Sequence, residues 1–384
     1  MLRFLTAGES HGRCLTAILE GIPAGLPIDV VQIDKELARR QQGYGRGGRM
    51  KIETDKVDIL SGVRFGSTLG DPLILQVQNK DWENWTERMA VCGVQSGPKV
   101  TAVRPGHADL TGVNKYDRDD IRDILERASA RETAARVAVG AVAKQFLAAC
   151  GIRVVSHVVA IGDVNIDPNM VDYGKIGSSN SELNCYDTNA ADKMKQAIDQ
   201  AKVAGDTLGG VFEVVVYGAM PGLGSHIQWD RRLDAKLSAA LVSIQAIKGV
   251  EFGEGFSYAK LLGSQAHDEI FLDDNGQPYR RTNHAGGLEG GMSNGEPIVI
   301  KAVMKPIPTL MRPLASIDIA MNTAVKANTE RSDVCAVSAA SVVGEAMVAI
   351  IIAEAIIEKF GGDCMCDLKA AITQYKQRIS GCDK

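Results

Sequence analysis

The chain has 384 residues, ample for one large domain or two to three small ones around a sizeable core. Its hydrophobic share of 45% and charged share of 23% are ordinary for a soluble globular protein. A net charge of -4, with a pI near 5.9, argues against nucleic acid as the main partner and makes any arginine-rich stretch a local feature, suited to focusing field on a small anion.

The opening MLRFLTAGESHG runs straight into strand-like sequence and lacks the apolar core and small-residue cleavage site of a signal peptide. IDKELARRQQ (33–42) reads as a helix and MKIETD (50–55) as a strand. LILQVQ (73–78) is a strand by β-branched content and length. Residues 118–149 read as one helix, with acids crowding the first turn, alanines in the middle and Gly151 after the end. IRVVSHVVAI (152–161), VFEVVVY (211–217) and PIVIKAVM (297–304) are further strands, and 191–204 and 230–247 further helices. Residues 163–190 and 268–284 are polar, turn-rich surface loops. A last helix spans 334–360 and stops at Gly361-Gly362. Its apolar part, 334–357, contains Glu345 and Glu354, so it reads as a buried core helix rather than a membrane span.

The eight cysteines are scattered, without a CxxC pair. Cys364-Met365-Cys366 offers two thiols to a metal but has no histidine nearby, so free cytosolic thiols fit better, and no metal is expected.

The chain echoes itself. Gly62, Gly66, Gly70, Asp71, Pro72 and Lys80 fall on Gly287, Gly291, Gly295, Glu296, Pro297 and Lys305. Glu126-Arg127-Ala128-Ser129 falls on Glu330-Arg331-Ser332-Asp333, and Gly140 on Gly344. An internal duplication is the favoured reading, with chance in a chain of 40 glycines as the bland alternative. A duplication, about 55–150 and 280–360, would set the two arginine-bearing elements across one site.

The stretch RRQQGYGRGGRM (39–50) carries Arg39, Arg40, Arg46 and Arg49 with no acid. It contains GxGxxG, but a dinucleotide motif follows a strand and opens a helix, whereas this one follows a helix and leads into a strand. An RGG-type RNA tail is long and repetitive, and this stretch occurs once. A loop laying guanidinium forks around an anion fits better, with a solvated basic loop as the bland alternative. His11 in GESHG and His107 in RPGHAD sit in tight turns. Each could be an ordinary loop histidine or a general acid. Arg127 and Arg131 fall one turn apart on the 118–149 helix, on one face, where they need an acid or a bound anion. In the second half, 286–295 is too glycine-rich for a regular element and suits an anion nest or the approach of a flat ring. Lys305-Pro306-Ile307-Pro308-Thr309 is a stiff segment with a cation and a hydroxyl. Asp333 stands at the start of the last helix, where it could be an N-cap. Together these motifs suggest an enzyme for a small polyanion, with a phosphorylated flat cofactor as a candidate partner.

GESHG, RRQQGYGRGGRM, RPGHAD, ERASARETAARVAVG, NHAGGLEGGMSNGEP, KPIPT and RSDVCAV, in that order from about residue 1 to 360, resemble the chorismate synthase family. The resemblance implies an anti-1,4-elimination of phosphate from 5-enolpyruvylshikimate 3-phosphate, requiring reduced FMN without net redox change. It implies an α+β fold, a β-α-β sandwich with helices between antiparallel sheets, as one domain over 1–384, assembled as a homotetramer in the cytoplasm. It also implies substrate contacts from Ser10, Arg40, Arg46, Arg49, Arg104, Arg131 and Arg331. His11 would protonate the leaving phosphate, His107 would serve the reduced flavin, and Asp333 would help move the hydrogen. FMN contacts would come from Arg127, Ala128, Ser129, Gln245, Ala246, Gly290, Lys305, Pro306, Ile307, Pro308, Thr309 and Arg331, with Lys305 and Thr309 at the flavin phosphate. The insertions of bifunctional fungal members are missing, which implies a separate flavin reductase, with NADPH entering only indirectly. A flavin-binding module without elimination chemistry stays as the alternative.

Overall fold

The computed structural model describes residues 1–47, 53–177, 181–329 and 333–381. The first half runs β1 (Arg3–Ala7), β2 (Cys14–Glu20), α1 (Val30–Gln41), β3 (Val57–Ser61), β4 (Val63–Arg64), β5 (Ser67–Thr68) and β6 (Leu73–Gln78). Helices α2 (Asp109–Tyr116), α3 (Arg122–Ala128) and α4 (Thr133–Ala149) lead to β7 (Arg153–Ile161), β8 (Val164–Asn165), α5 (Thr188–Val203) and β9 (Gly210–Tyr217). Then come α6 (Leu233–Val242), β10 (Ile247–Phe252), α7 (Gly263–Ala266), β11 (Ile270–Leu272) and β12 (Pro278–Arg280). The chain ends through β13 (Leu288–Glu289), β14 (Met292–Ser293), β15 (Ile298–Met304), β16 (Ala315–Asp318), β17 (Thr323–Lys326), α8 (Val337–Phe360) and α9 (Met365–Ile379).

Two antiparallel sheets dominate. The first has the order β1-β2-β6-β3 and the second β10-β15-β9-β7-β8. Alternation sets the inner face of the first sheet: Leu15, Ala17 and Leu19 of β2 and Leu73, Leu75 and Val77 of β6 are all buried. Helix α4 lies on β2 and β6, α8 lies on β7 and β9, and α4 packs on α8. Glycine makes these contacts close. A Cβ on Gly140 would stand 2.3 Å from Ala346 Cβ, and one on Gly344 would stand 2.5 Å from the Phe212 ring. Helix α8 is the core helix its composition suggests, buried along most of its length.

One charged cluster sits inside this layer. Glu345 of α8 accepts from Arg39 Nη2 at 2.8 Å, Lys144 Nζ at 2.7 Å and Ser156 Oγ at 2.8 Å, and Glu36 accepts from the same arginine and lysine. Burial pushes its carboxyl up, but the two cations outweigh burial and hold it well below the ordinary range. The cluster ties α1, α4, α8 and β7 together. Removing one partner of such a buried set costs about 3–5 kcal/mol.

Several expectations are corrected. Residues 118–149 are not one helix. Asp117 ends α2 in a left-handed conformation, and Ser129, extended at φ -63° and ψ 141°, stops α3 before a short 3-10 turn and α4. Ser129 Oγ accepts from Arg131 N at 3.3 Å, an N-cap bond that competes with helix continuation. The helix expected over 230–247 ends at Val242, and Ala246, at φ +68°, turns the chain into β10. The strand expected at 50–55 starts at Val57; residues 50–52 lie outside the described set. The loop at 163–190 holds β8, two 3-10 turns and the first turn of α5, and 268–284 holds the β11–β12 hairpin. The glycine-rich 286–295 segment forms the β13–β14 hairpin. Its turn, Gly290-Gly291, has φ +59° and +82°, the primed geometry that glycine admits without strain.

Candidate active site

The ends of the first sheet and the broken helix segment 126–133 build the first half of the site. His11, in the turn after β1, points Nδ1 at both oxygens of Glu126, each at 3.0 Å, and its backbone N–H donates to Glu126 Oε2 at 2.8 Å. Its ring stacks on Trp85 with centroids 4.0 Å apart. Ser10 is buried, and its N–H donates to Glu126 O at 3.0 Å. Asn79, just beyond β6, ties this turn to the cations. Its Nδ2 donates to the carbonyls of Glu9 and Gly12, and its Oδ1 accepts from Arg131 Nε at 2.9 Å.

Arg131 and Arg40 share one acid. Arg131 Nη1 donates to both oxygens of Asp55 at 2.7 Å, and Arg40 Nη2 donates to Asp55 Oδ2 at 2.7 Å. Glu53 Oε2 stands 3.6 Å from Arg131 Nη2. Both arginines are buried, and among the described residues Arg40 Nε and Arg131 Nη2 find no hydrogen-bond partner. Burial drives the Arg40 guanidinium down to about 10. Asp55 opposes that shift, and the positive charges of Arg131 and Arg46 add to it. An oxyanion would supply what these guanidinium groups lack.

Arg46 reaches the start of the last helical region instead. Its Nε lies 3.1 Å from Asp333 Oδ2, and Gly47 N donates to Asp333 Oδ1 at 2.5 Å. Asp333 is therefore not the N-cap of α8, which starts four residues later without a side-chain cap. Gly43 and Gly45 lie where a Cβ would strike Ser338 Oγ and Ile198, so the described part of the arginine stretch runs close against α8 and α5. Arg49 and Arg331, with Glu330 and Ser332, lie outside the described residues.

A second line of contacts runs from Arg127 to His107. Because the helix breaks at Ser129, Arg127 and Arg131 do not share a face, contrary to the sequence reading. Arg131 is buried, while Arg127 is half in solvent and donates to Thr6 O, Thr6 Oγ1 and Gly8 O. Thr6 Oγ1 donates to Glu132 Oε1 at 2.7 Å, and Gln245 Nε2 donates to Glu132 Oε2 at 3.3 Å. The carbonyl of Ala246 accepts from Lys305 N, and Lys305 Nζ donates to Gly106 O at 2.5 Å. Next to Gly106, His107 Nδ1 lies 2.5 Å from Asp109 Oδ1, and Arg104 grips the same carboxylate through Nε at 2.8 Å and Nη2 at 3.0 Å. A Cβ on Gly106 would lie 3.5 Å from Pro308, which brings the Lys305–Thr309 segment beside the His107 turn. Gln245 Oε1 is buried without a partner among the described residues. Gly290 belongs elsewhere by its contacts: its hairpin binds Leu233 at the start of α6, and a Cβ on it would meet open space.

A cleft of about 1110 Å³ opens between the 87–98 segment and α2 and α3 and is lined by Glu9, Arg88, Arg122, Glu126, Arg127 and Ala128 among others. Sequence reasoning offered Glu126 and Glu132 only as acids that could pair with neighbours on that segment; it did not find Glu126 as the partner of His11, and it missed Glu53, Asp55 and Asn79, with Trp85. Only Asp109, two residues after His107, carried a local signal.

Fold and site together suit an enzyme for a small polyanion, with buried arginines on one side and an unsatisfied amide oxygen on the other. The sequence profile of the chorismate synthase family matches residues 2–357. The chorismate synthase of Syntrophotalea carbinolica is 55% identical over 382 residues, covering 98% of each chain, and that of Aquifex aeolicus is 54% identical over 391 residues, again covering 98% of each. A crystal structure of a chorismate synthase, 44% identical, superposes with a TM-score of 0.79 over 99% of this chain and 98% of its own. The chain belongs to the chorismate synthase family. Its activity is that of a phosphate-eliminating lyase of the shikimate pathway, in a family that uses reduced FMN.

Proposed function

We propose that the two lines of contacts meeting at residues 126–133 are the two halves of this lyase site, one for 5-enolpyruvylshikimate 3-phosphate and one for FMN. The observation that carries the reading is the pair of buried arginines, Arg40 and Arg131, leaning on one aspartate with donors to spare. The substrate brings a phosphate and two carboxylates. Arg40, Arg131 and Arg46, with Arg49, Arg104 and Arg331, hold those anions, and Ser10 lines the His11 turn. His11 gives a proton to the leaving phosphate, His107 holds a proton towards the flavin side, and the Asp333 carboxylate helps move the ring hydrogen by taking it up as a proton.

The residues present fit a flavin. Gln245 Oε1 is a buried acceptor without a donor among the described residues, and Arg127 and Lys305 offer cations; Ala128, Ser129, Ala246, Pro306, Ile307 and Pro308 would line the flat ring, with Thr309 at its phosphate. Reduced FMN, when bound, lends electron density as the phosphate leaves and recovers it as the hydrogen departs. Gly290 fits this group least, since its hairpin contacts lie at α6.

The same reading extends to architecture. Strands β4, β5 and β6 precede α4 as β13, β14 and β15 precede α8, and α1 stands between β2 and β3 as α6 stands between β9 and β10. Strand order β1-β2-β6-β3 matches β7-β9-β15-β10. This supports a duplicated β-α-β sandwich with its helices between the sheets. The outer face of the first sheet exposes Leu5, Ile18 and Leu60, which supports burial in a homotetramer; a sedimentation mass of one 41.0 kDa chain at micromolar concentration refutes it. The free thiols at Cys14, Cys92, Cys150, Cys185, Cys335, Cys364 and Cys366 support a cytoplasmic setting, where a separate reductase supplies the flavin.

The test is an anaerobic assay of phosphate release and chorismate formation. Turnover is expected with reduced FMN, and none with oxidised FMN plus NADPH until a flavin reductase is added. Equal turnover without flavin, or FMN binding with no turnover, overturns the reading; the second result favours the binding-module alternative.

A further inference from the structure

The two site histidines are wired alike. His11 Nδ1 faces Glu126, whose Oε1 also accepts from Arg122 Nη1 at 2.9 Å. His107 Nδ1 faces Asp109, which Arg104 grips through two nitrogens. Each carboxylate is buried, Glu126 at 3% and Asp109 at 0% exposure. Each also accepts a backbone N–H, from His11 and from Arg104 respectively. Burial alone would raise both carboxyls. Bonds from His11 and the charge of Arg122 outweigh it at Glu126, and bonds from His107 and Arg104 outweigh it at Asp109, so both stay ionised at neutral pH.

An ionised carboxylate can only accept. A nitrogen 2.5–3.0 Å from it must therefore carry a hydrogen, which settles the proton on Nδ1 and leaves Nε2 as the position that trades protons. Arg104 Nη2 also comes within 3.2 Å of His107 Nδ1, and both groups then donate to the one oxygen, Asp109 Oδ1. The His11 ring plane is held as well, by its stack on Trp85, over which the Arg122 guanidinium lies at 4.9 Å.

We propose that Glu126 and Asp109 are positioning residues that fix the Nδ1–H tautomer of His11 and His107 and so present Nε2 of each ring to the reacting molecules. The inference rests on the acid roles given to those histidines above. It goes further in assigning which nitrogen works and which buried acid decides it.

The experiment combines Glu126→Gln and Asp109→Asn with ¹⁵N spectra of histidine-labelled protein. An amide keeps the shape but can present N–H to Nδ1, which lets the other tautomer form. Removing an orienting carboxylate of this kind is expected to lower kcat by roughly 10²–10⁴-fold, as a misplaced general acid would. In Glu126→Gln, KM for substrate should stay within about threefold, because Glu126 holds none of the arginines assigned to the substrate; Asp109→Asn also loosens Arg104 and is read by kcat. Glu126→Asp, which keeps the charge, should recover part of the loss that Glu126→Gln suffers; a purely structural role would predict the reverse order, since Gln better preserves the volume. The wild-type spectrum decides even where the variants fail to fold. Hydrogen on Nδ1 of both rings supports the wiring, and a bare Nδ1 on either ring overturns it. A kcat within threefold of wild type in both amide variants also overturns it. Full activity in His11→Ala and His107→Ala instead overturns the acid roles themselves, a separate result read from separate proteins.

Discussion

Asp55→Asn is the sharpest perturbation of the arginine pair. Asp55 is buried and takes three hydrogen bonds of 2.7 Å, two from Arg131 and one from Arg40. Asparagine matches its shape, so no cavity term enters. It removes the one full negative charge bonded to both cations and turns one acceptor into a donor facing a guanidinium. Breaking a buried pair costs about 3–5 kcal/mol. One oxygen survives as an acceptor and Glu53 stays nearby, which places the expected loss near the low end, about 3 kcal/mol. With a urea slope of about 3 kcal/mol per molar, the unfolding midpoint should fall by about 1 M. Inorganic phosphate should then act as a surrogate for the lost charge. At about 100 times its Kd, a ligand that binds only the folded state adds about 2.7 kcal/mol. The variant's midpoint should therefore recover most of its deficit in phosphate, and gain more than wild type does. The assay is equilibrium urea unfolding followed by tryptophan fluorescence, at low ionic strength, with and without phosphate, and with chloride at matched ionic strength as control. A loss below about 1 kcal/mol, or equal gains from phosphate in both proteins, would refute the view of Arg40 and Arg131 as a cation surplus awaiting an anion.

Gly140→Ala tests the closeness of α4 and α8. Helix propensity favours alanine by about 1 kcal/mol, but the new Cβ would stand 2.3 Å from Ala346 Cβ and 2.5 Å from its Cα, which cannot swing aside. Overpacking of about 1–3 kcal/mol should prevail and lower Tm; a variant more stable than wild type contradicts the packing. Acid should unfold the protein in a particular window. Asp109, Glu126, Glu132 and Glu345 all have folded values below the ordinary carboxylate range, so the unfolded chain binds more protons than the native one as pH falls. Their stabilisation is complete above about pH 5 and is lost as pH drops through the folded values. Urea midpoints should be level from pH 7 to about 5 and fall steeply below about 4, and a level profile down to pH 3 would contradict the depressed carboxyls.

Much of the secondary structure was legible in local pattern. Alternation marked β6 to its ends, and composition marked α8 as a core helix before any neighbour was known. Periodicity is a property of adjacent residues, so it survives without the fold. The same reasoning failed at Ser129, where helical spacing made neighbours of Arg127 and Arg131. There a single serine cap sent one to the core and the other to solvent.

By itself the sequence determined the family, through seven motifs in order, and the positions of the cations and histidines that carry them. Only the tertiary structure decided their partners. Asp55 stands 76 residues from Arg131, and Glu126 stands 115 from His11. No local pattern links such distances. The pairings arise because β1, β6 and the 126–133 segment converge at one end of the first sheet, where burial leaves each charge no choice but the nearest opposite one.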